Sequence, residues 1–248
     1  MLKKILLTFG LKITKVQKDL NAESEWGHPI TVDFLRRFAG KTDVLIDVGA
    51  NRGMFARAYN HFAPNRSWYM FEPIPVLSLF LKSTFVSGSV TIFEKAISDI
   101  ASTKKNFYVS ENDGQSSSLL KMGNRHLEVS PDSRQLETLS VEVSTLDIDL
   151  AKIPFSKAFM KVDVQGSELS VFKGAIETLK RVAAIHTEVS LTSLYDNDTP
   201  ATEVINFLVS QGFLIYGIDP WFRDFKSAGE LLQADILFVK PELIIGLG

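Results

Sequence analysis

The sequence of 248 residues contains no cysteine. Disulfide bonds, thiolate metal sites and cysteine nucleophiles are therefore excluded, and the composition fits a reducing compartment. We expect a cytoplasmic protein. Positive charge is also scarce, since 27 Lys and Arg stand against 29 Asp and Glu, a formal net charge of −2. Because no basic surplus exists to neutralise phosphates, we expect no nucleic-acid partner.

Long apolar runs are also lacking. An apolar stretch follows Met1–Lys4, as in a signal peptide, but lysines soon interrupt it and no small-residue cleavage site follows. The stretch is too short to span a bilayer, so we expect no integral membrane segment. We interpret residues 2–20 as a helix packed on the domain. A basic amphipathic helix on a membrane surface is the alternative.

Internal repeats and low-complexity linkers are absent, and strands alternate with helices from residue 44 onward. We predict strands at 44–47, 68–72, 90–97, 158–163, 182–189, 213–218 and 235–239. We predict helices at 28–39, 53–62, 76–85 and 167–180, capped by Ser167, and between Thr199 as cap and Gly212. These elements indicate an N-terminal helical extension, 1–40, followed by one α/β domain, 41–248.

Residues 100–157 interrupt this alternation. Two alternating strands, 104–110 and 139–146, flank a polar loop at 111–118 and a charged stretch. Because the insert lies between two core strands, we expect it to cover a cleft rather than to form a separate domain.

The last two predicted strands are joined by residues 219–234, which show no convincing helix. A parallel pair needs a crossover of a dozen or more residues, usually helical. The pattern therefore favours an antiparallel final pair.

A glycine loop follows the first predicted strand. The apolar run Val44–Ile46 ends at Asp47 and breaks into a turn containing Gly49 and Gly53, after which a helix begins. This arrangement is typical of α/β sheets that hold a nucleoside-type cofactor. Glu72 lies roughly 20 residues further on, at the spacing of an acid that accepts the ribose hydroxyls.

Four motifs occur in a fixed order: Asp47–Gly53, Phe71–Pro73, Ala96–Asp99 and Lys161–Glu168. Together they resemble the FkbM family of S-adenosylmethionine-dependent methyltransferases over roughly residues 40–240. The resemblance implies a Rossmann-like class I methyltransferase fold, with a seven-stranded, mostly parallel sheet whose last strand is antiparallel. It also implies S-adenosyl-L-methionine as the cofactor.

The resemblance assigns parts of the cofactor to particular residues. The loop 49–53 would wrap the methionine part, with Asp47 holding or orienting its amino group. Glu72 would bind the ribose, Asp99 would lie near the adenine amino group, and Asp163 would face the methyl group and the acceptor. The full implied cofactor set is Asp47, Gly49, Ala50, Asn51, Gly53, Glu72, Pro73, Ser98, Asp99 and Asp163.

One residue departs from the family pattern. The family usually has Asp-Val-Glu-Gly, whereas this chain has Gln165 in place of the glutamate. An amide preserves the shape and hydrogen bonding of that side chain but not its charge.

Methyl transfer to an alcohol needs a base, and Asp163, Glu188 and His186 are the candidate catalytic residues. If the strands that end at Asp163 and Glu188 are neighbours, both carboxylates face one crevice. The alternatives are a structural turn-forming Asp163, a solvated Glu188 and a satisfied core histidine at 186. Two acids and a histidine also suit a divalent metal, but nothing in their spacing demands one, and we expect no metal.

The acceptor is expected to be a small molecule or glycan, with a hydroxyl of a sugar or secondary metabolite implied by the resemblance. The insert supplies a mobile, hydrogen-bonding surface from Asn112, Gly114, Gln115 and Ser116–Ser118, and Trp221 and Phe222 offer rings for stacking or for the core.

Two other classes of protein remain. An NAD-dependent oxidoreductase predicts Gly-x-Gly-x-x-Gly, whereas Gly49 and Gly53 here flank Ala-Asn-Arg. A non-catalytic relative that binds cofactor or partner is consistent with Gln165. The oligomeric state is not predicted.

Overall fold

The structure is a computed structural model that describes residues 29–245. The strands are β1 (Val44–Val48), β2 (Ser67–Phe71), β3 (Val90–Phe93), β4 (Ala96–Ile97), β5 (Ser102–Ser110), β6 (Gln135–Ser144), β7 (Ala158–Val162), β8 (Val182–Ser190), β9 (Leu214–Asp224) and β10 (Glu230–Val239). The α-helices are α1 (Pro29–Phe38), α2 (Met54–Phe62), α3 (Pro75–Thr84), α4 (Asn124–Val129), α5 (Leu146–Asp149), α6 (Glu168–Lys173), α7 (Ile176–Leu179), α8 (Ala201–Ser210) and α9 (Pro241–Ile244). The predicted helix 2–20 lies outside the described residues.

A seven-stranded sheet forms the centre of the fold, in the order β3-β2-β1-β7-β8-β10-β9. The first five strands in this order are parallel, and β10 is antiparallel to both of its neighbours. The predicted α/β class, with a mostly parallel sheet and an antiparallel last strand, is confirmed. The condition that the strands leading to Asp163 and Glu188 are neighbours is met, since β7 pairs with β8.

Both faces of the sheet are covered by helices. Ile46 of β1 packs in a buried cluster with side chains of α5, α6, α7 and α8, whereas Leu45 packs with α1, α2 and α9. Because side chains of a strand alternate between faces, Asp47 lies on the same face as Leu45. This alternation places the charged ends of β1 and β7 beside α1 and α2.

The prediction of a single third strand, 90–97, is wrong. It divides into β3, which stays in the large sheet, and β4, which pairs with β6 in a three-stranded sheet of order β4-β6-β5. The Lys95 ammonium at the bend lies 3.0 Å from both Glu142 and Asp149. Lys95 thus draws the chain toward the insert, and the backbone of β4 finds partners there.

The predicted helix 167–180 is interrupted between α6 and α7. The N–H of Asp147 donates to the Gly174 carbonyl oxygen at 3.1 Å. The Asp147 carboxylate accepts from the Thr178 N–H at 2.7 Å and therefore starts a new helix after the break.

Neither of the two residues predicted to cap a helix does so in the structure. Ser167 makes no capping hydrogen bond, and the Glu168 carboxylate instead accepts the Gly166 N–H at 3.1 Å. At α8 the cap position is occupied by Pro200 rather than by Thr199.

The last two strands are longer than predicted. The segment Asp219–Phe222, predicted as a loop, lies within β9, and only residues 225–229 connect β9 to β10. Pro220 is tolerated there because β9 is the edge strand of the sheet. Within residues 29–245, no helix is long and apolar enough to cross a membrane.

The close contact between α6 and the turn after β4 yields a stability prediction. A Cβ on Gly174 would overlap the carbonyl oxygen of Ser98, whereas one on Gly88 would meet nothing within 4 Å. Gly174→Ala should therefore lower the free energy of unfolding by about 1–3 kcal/mol. Gly88→Ala is the matched control and should change little. Denaturant unfolding measures both, and equal stabilities would contradict the packing described.

Candidate active site

The glycine loop begins where β1 meets β2 and β7. The N–H groups of Gly49 and Ala50 both donate to the Phe71 carbonyl oxygen at 3.0 Å. Gly49 has φ +77°, and a Cβ there would overlap the carbonyl oxygen of Asp163. No residue larger than glycine fits this approach, so the loop passes directly over the end of β7.

Glu72 is held by the same loop. Its Oε2 accepts the N–H of Asn51 and its Oε1 accepts the N–H of Ile74, both at 2.8 Å. Asn51 reaches this geometry with φ +46°. Each carboxylate oxygen keeps a further acceptor position, so two ribose hydroxyls can still be bound. Burial raises the pKa of Glu72 to about 7, although the two backbone donors act in the opposite direction.

Lys161 is a buried cation that sequence reasoning missed. Its Nζ donates to the Gly49 carbonyl oxygen at 2.7 Å and lies 3.4 Å from Asp163 Oδ2 and 3.6 Å from Asp47 Oδ1. Burial alone lowers the pKa of Lys161, but the two carboxylates outweigh it and raise the pKa. A lysine inside the apolar strand pattern 158–162 was the available signal, since lysine is rarely buried unless it is paired.

The structure brings the three candidate catalytic residues to one cavity. Gln165 Nε2 lies 2.8 Å from Asp163 Oδ1 and 2.7 Å from Glu188 Oε1. His186 lies on the neighbouring position of β8, with its Nε2 3.2 Å from Thr31 Oγ1. Burial and the nearby Asp163 carboxylate raise the pKa of Glu188 well above its usual range.

The cavity has a volume of about 650 Å³, within the ordinary range for sites of small molecules. One half is lined by the glycine loop, Glu72, Pro73 and residues 95–97. The other half is lined by Asp163, Gln165, His186, Glu188, Trp221, Phe222, Gln233 and Asp235.

Four predicted cofactor residues, Asp47, Gly53, Ser98 and Asp99, do not line this cavity. Asp47 is fully buried beneath the loop, and neither of its carboxylate oxygens has a hydrogen-bond partner within the described chain. Burial raises the pKa of Asp47 despite the neighbouring Lys161. Ser98 and Asp99 lie beyond the lining segment 95–97 because β4 turns into the small sheet.

The insert closes one side of the cavity. Arg52 of the glycine loop forms an ion pair with Asp113 at 3.2 Å, and Asn51 Nδ2 donates to the Asp113 carbonyl oxygen at 3.1 Å. The predicted hydrogen-bonding side chains are largely engaged with each other. Asn112, for example, donates to Ser116 at 2.9 Å and accepts from Ser110 at 2.7 Å.

No group of three or more His, Asp or Glu side chains arranged to hold a metal is found among residues 29–245. The site suits an organic cofactor. The glycine cradle at Gly49, the carboxylate of Glu72 and the buried negative charge of Asp47 fit an amino-acid-bearing nucleoside such as S-adenosylmethionine.

This fold and this site define a Rossmann-like class I methyltransferase that uses S-adenosylmethionine. Residues 47–215 match the methyltransferase FkbM domain. The chain therefore belongs to the FkbM methyltransferase family, as the sequence motifs predicted.

The individual proteins described next are at most 28% identical to this chain. The 2-O-methyltransferase NoeI of Sinorhizobium fredii is 28% identical over 183 residues, which are 67% of this chain and 71% of that protein. A putative S-adenosylmethionine-dependent methyltransferase from Listeria monocytogenes has a TM-score of 0.48 at 10% identity, covering 84% of this chain and 96% of that one. The precorrin-6y C5,15-methyltransferase of Geobacter metallireducens has a TM-score of 0.44 at 14% identity, with coverages of 92% and 94%.

The raised pKa of Glu72, about 7, predicts how cofactor affinity depends on pH. The carboxyl group takes up a proton below this pH, which removes its negative charge and turns one of the positions that accept ribose hydroxyls into a donor. S-adenosylmethionine affinity should therefore weaken as pH falls from 8 to 6, by up to ~10-fold per unit below 7. Calorimetric titration at each pH measures this.

Glu72→Gln is the matched control, since it removes the titrating group and keeps the shape. Its binding should be weaker by about 1.5–3 kcal/mol at pH 8 and should vary less with pH. Parallel pH profiles for the two proteins would contradict the assignment.

Proposed function

We propose that the protein transfers the methyl group of S-adenosylmethionine to a hydroxyl oxygen of a sugar or another polyhydroxylated metabolite. The observation that carries the proposal is the two-part cavity, which joins the glycine loop and Glu72 to a second half rich in carboxylates and amides. The name of the relative NoeI, a 2-O-methyltransferase, supports oxygen as the receiving atom.

The second half of the cavity has the chemistry of a site for hydroxyl groups. Asp163, Gln233 and Asp235 offer acceptors or amide donors, and Trp221 adds an aromatic ring that is 46% exposed. A few polar groups around an aromatic wall can orient a hydroxylated ring while its apolar face stacks on the indole.

The cofactor supplies the electrophilic methyl group, so the protein needs to perform no other covalent chemistry. Its side chains have to hold the acceptor oxygen in line, exclude water and take one proton. Alignment of bound reactants is worth up to ~7–11 kcal/mol of the barrier. A positioned base adds a further factor of ~10²–10⁴.

Asp163 is the base we propose. It is the more accessible of the two linked carboxyl groups, and Lys161 Nζ lies 3.4 Å from its Oδ2. Glu188 and His186 border the same space and are the alternative bases, but Glu188 is buried and His186 already contacts Thr31.

The remaining assignments concern the cofactor and the insert. The loop 49–53 would hold the methionine part above the charge of Asp47, and Glu72 would hold the ribose. Residues 95–97, rather than Asp99, would border the adenine, since they line the cavity. The insert 100–157 would select the acceptor.

The sequence also supports a cytoplasmic location and the absence of a nucleic-acid partner. It has no cysteine, and its net charge is −2. A small molecule or glycan is the partner that we propose.

The acceptor can be identified directly. Glycans and small metabolites of cells with and without the gene should differ by the mass of one methylene group in one compound class, as measured by mass spectrometry. Cofactor binding without any methylated product would favour the non-catalytic relative, and binding of NAD alone would favour an oxidoreductase.

Asp163→Asn tests the proposed base. The change keeps the shape of the side chain but removes its ability to take a proton, so kcat should fall by ~10²–10⁴-fold. The dissociation constant of S-adenosylmethionine should stay within a few-fold by calorimetry. Full activity of this variant would refute Asp163 as the essential group.

A further inference from the structure

The amide of Gln165 lies between two carboxyl groups of the cavity. Its Nε2 donates to Asp163 Oδ1 at 2.8 Å and to Glu188 Oε1 at 2.7 Å. A primary amide has two N–H hydrogens, so each carboxyl group receives one of them. This residue replaces the glutamate that is usual in the family motif.

The amide of Gln165 has a third partner. The hydroxyl of Tyr195 donates to Gln165 Oε1 at 2.7 Å and also lies 3.1 Å from the Ser116 carbonyl oxygen. The backbone is held as well, since Ser118 Oγ donates to the Gln165 carbonyl oxygen at 2.8 Å. Because the Asp163 carboxylate is an acceptor, a reversed amide would place Oε1 against it and lose that contact.

Glu188 differs from Asp163 in its hydrogen bonds and in its exposure. Its Oε1 accepts a second amide, from Gln233 Nε2 at 2.7 Å, whereas no side chain or N–H of the described residues donates to Oε2. Glu188 is 4% exposed and borders the acceptor half of the cavity, while the side chain of Asp163 is 35% exposed.

The charged and titratable groups near Glu188 come from each element around it. They are Lys161 on β7, Asp163 at its end, Glu168 on α6, His186 on β8, Tyr195 between β8 and α8, and Asp235 on β10. Burial and then Asp163 are the main causes that raise the pKa of Glu188, and Lys161 acts in the opposite direction. A neutral Glu188 carries its proton on Oε2, because Oε1 accepts two donors.

We propose that Gln165 is a positioning residue that gives the two carboxyl groups different roles, with Asp163 the base and Glu188 a hydrogen-bond donor to the acceptor oxygen. This inference rests on the proposed function. As the acceptor oxygen bonds the methyl carbon and sulfur keeps the electron pair of the broken bond, Asp163 takes the hydroxyl proton. The exposed part of Asp163 then passes that proton to water.

A glutamate at position 165 would remove this difference between the roles of Asp163 and Glu188. It would bring a third carboxyl group within hydrogen-bond distance of Asp163 and Glu188, with no N–H to donate to either. Like charges at such distances favour uptake of a proton by the cluster. The base would then be ionised only at higher pH.

Gln165→Glu is therefore the first test. The acidic limb of its kcat–pH profile should move upward by about one pH unit or more, while the KM for S-adenosylmethionine stays within a few-fold. Gln211→Glu adds the same charge outside the cavity and should leave the profile in place. A profile of Gln165→Glu that superimposes on the wild type would overturn the proposal.

Glu188→Gln is the second test and does not depend on the first variant. An amide retains a donor at the position of the neutral carboxyl group, so kcat should stay within about tenfold of the wild type. Glu188→Ala lacks that donor and should lose much more. If Glu188→Gln is as inactive as Asp163→Asn, Glu188 is a base and the proposal fails.

A third measurement needs no acceptor. The side-chain amide signal of Gln165 in ¹⁵N NMR spectra, assigned by its loss in Gln165→Glu, should shift as Glu188 loses its proton at a pH above the usual range of a glutamate. Titration of this signal without any methylated product would reject the proposed function and leave the bridge intact. An amide signal that does not respond to pH up to 9 would reject the bridge.

Discussion

The rest of the site depends on the hydrogen bond and the ion pairs of the buried Lys161 ammonium group. It joins the glycine loop, through the Gly49 carbonyl oxygen, to two carboxylates that belong to different strands. Asp47 and Asp163 would otherwise bring two negative charges to the end of the sheet with little compensation. Removing one partner from such a buried group leaves an uncompensated charge, which is costly. The Lys161 ammonium group therefore allows two carboxyl groups to lie beside the glycine loop where that loop passes close to β7.

The topology of the sheet determines which side chains lie near the glycine loop. Parallel strands β1, β7 and β8 end at the same edge, so a cofactor held after β1 faces side chains from the two neighbouring strands. The antiparallel β10 adds Gln233 and Asp235 from the opposite chain direction. The glycine loop thus contributes mainly backbone to the cavity, whereas β8 and β10 contribute side chains.

The features that follow from local pattern were predictable from the sequence. The glycine loop and the spacing to Glu72 indicated a nucleoside-type cofactor, and the missing crossover before β10 predicted the reversed strand. Features set by distant partners were not predictable. The chain bends after β3, and Lys95 at the bend pairs with Glu142 and Asp149, neither of which is close in sequence. The bridge at Gln165 likewise depends on a tyrosine that lies 30 residues away.

Two side chains of the site stand on left-handed backbone, Asn51 with φ +46° and Gln165 with φ +60°. Such conformations cost residues other than glycine of order 1–3 kcal/mol each, and the surrounding structure has to impose them. Glycine would relax the backbone at either place but would delete the side chain that links the loop to the insert or one carboxyl group to the other. We therefore expect the conformation of the backbone and the hydrogen bonds of the site to favour different residues at these two positions.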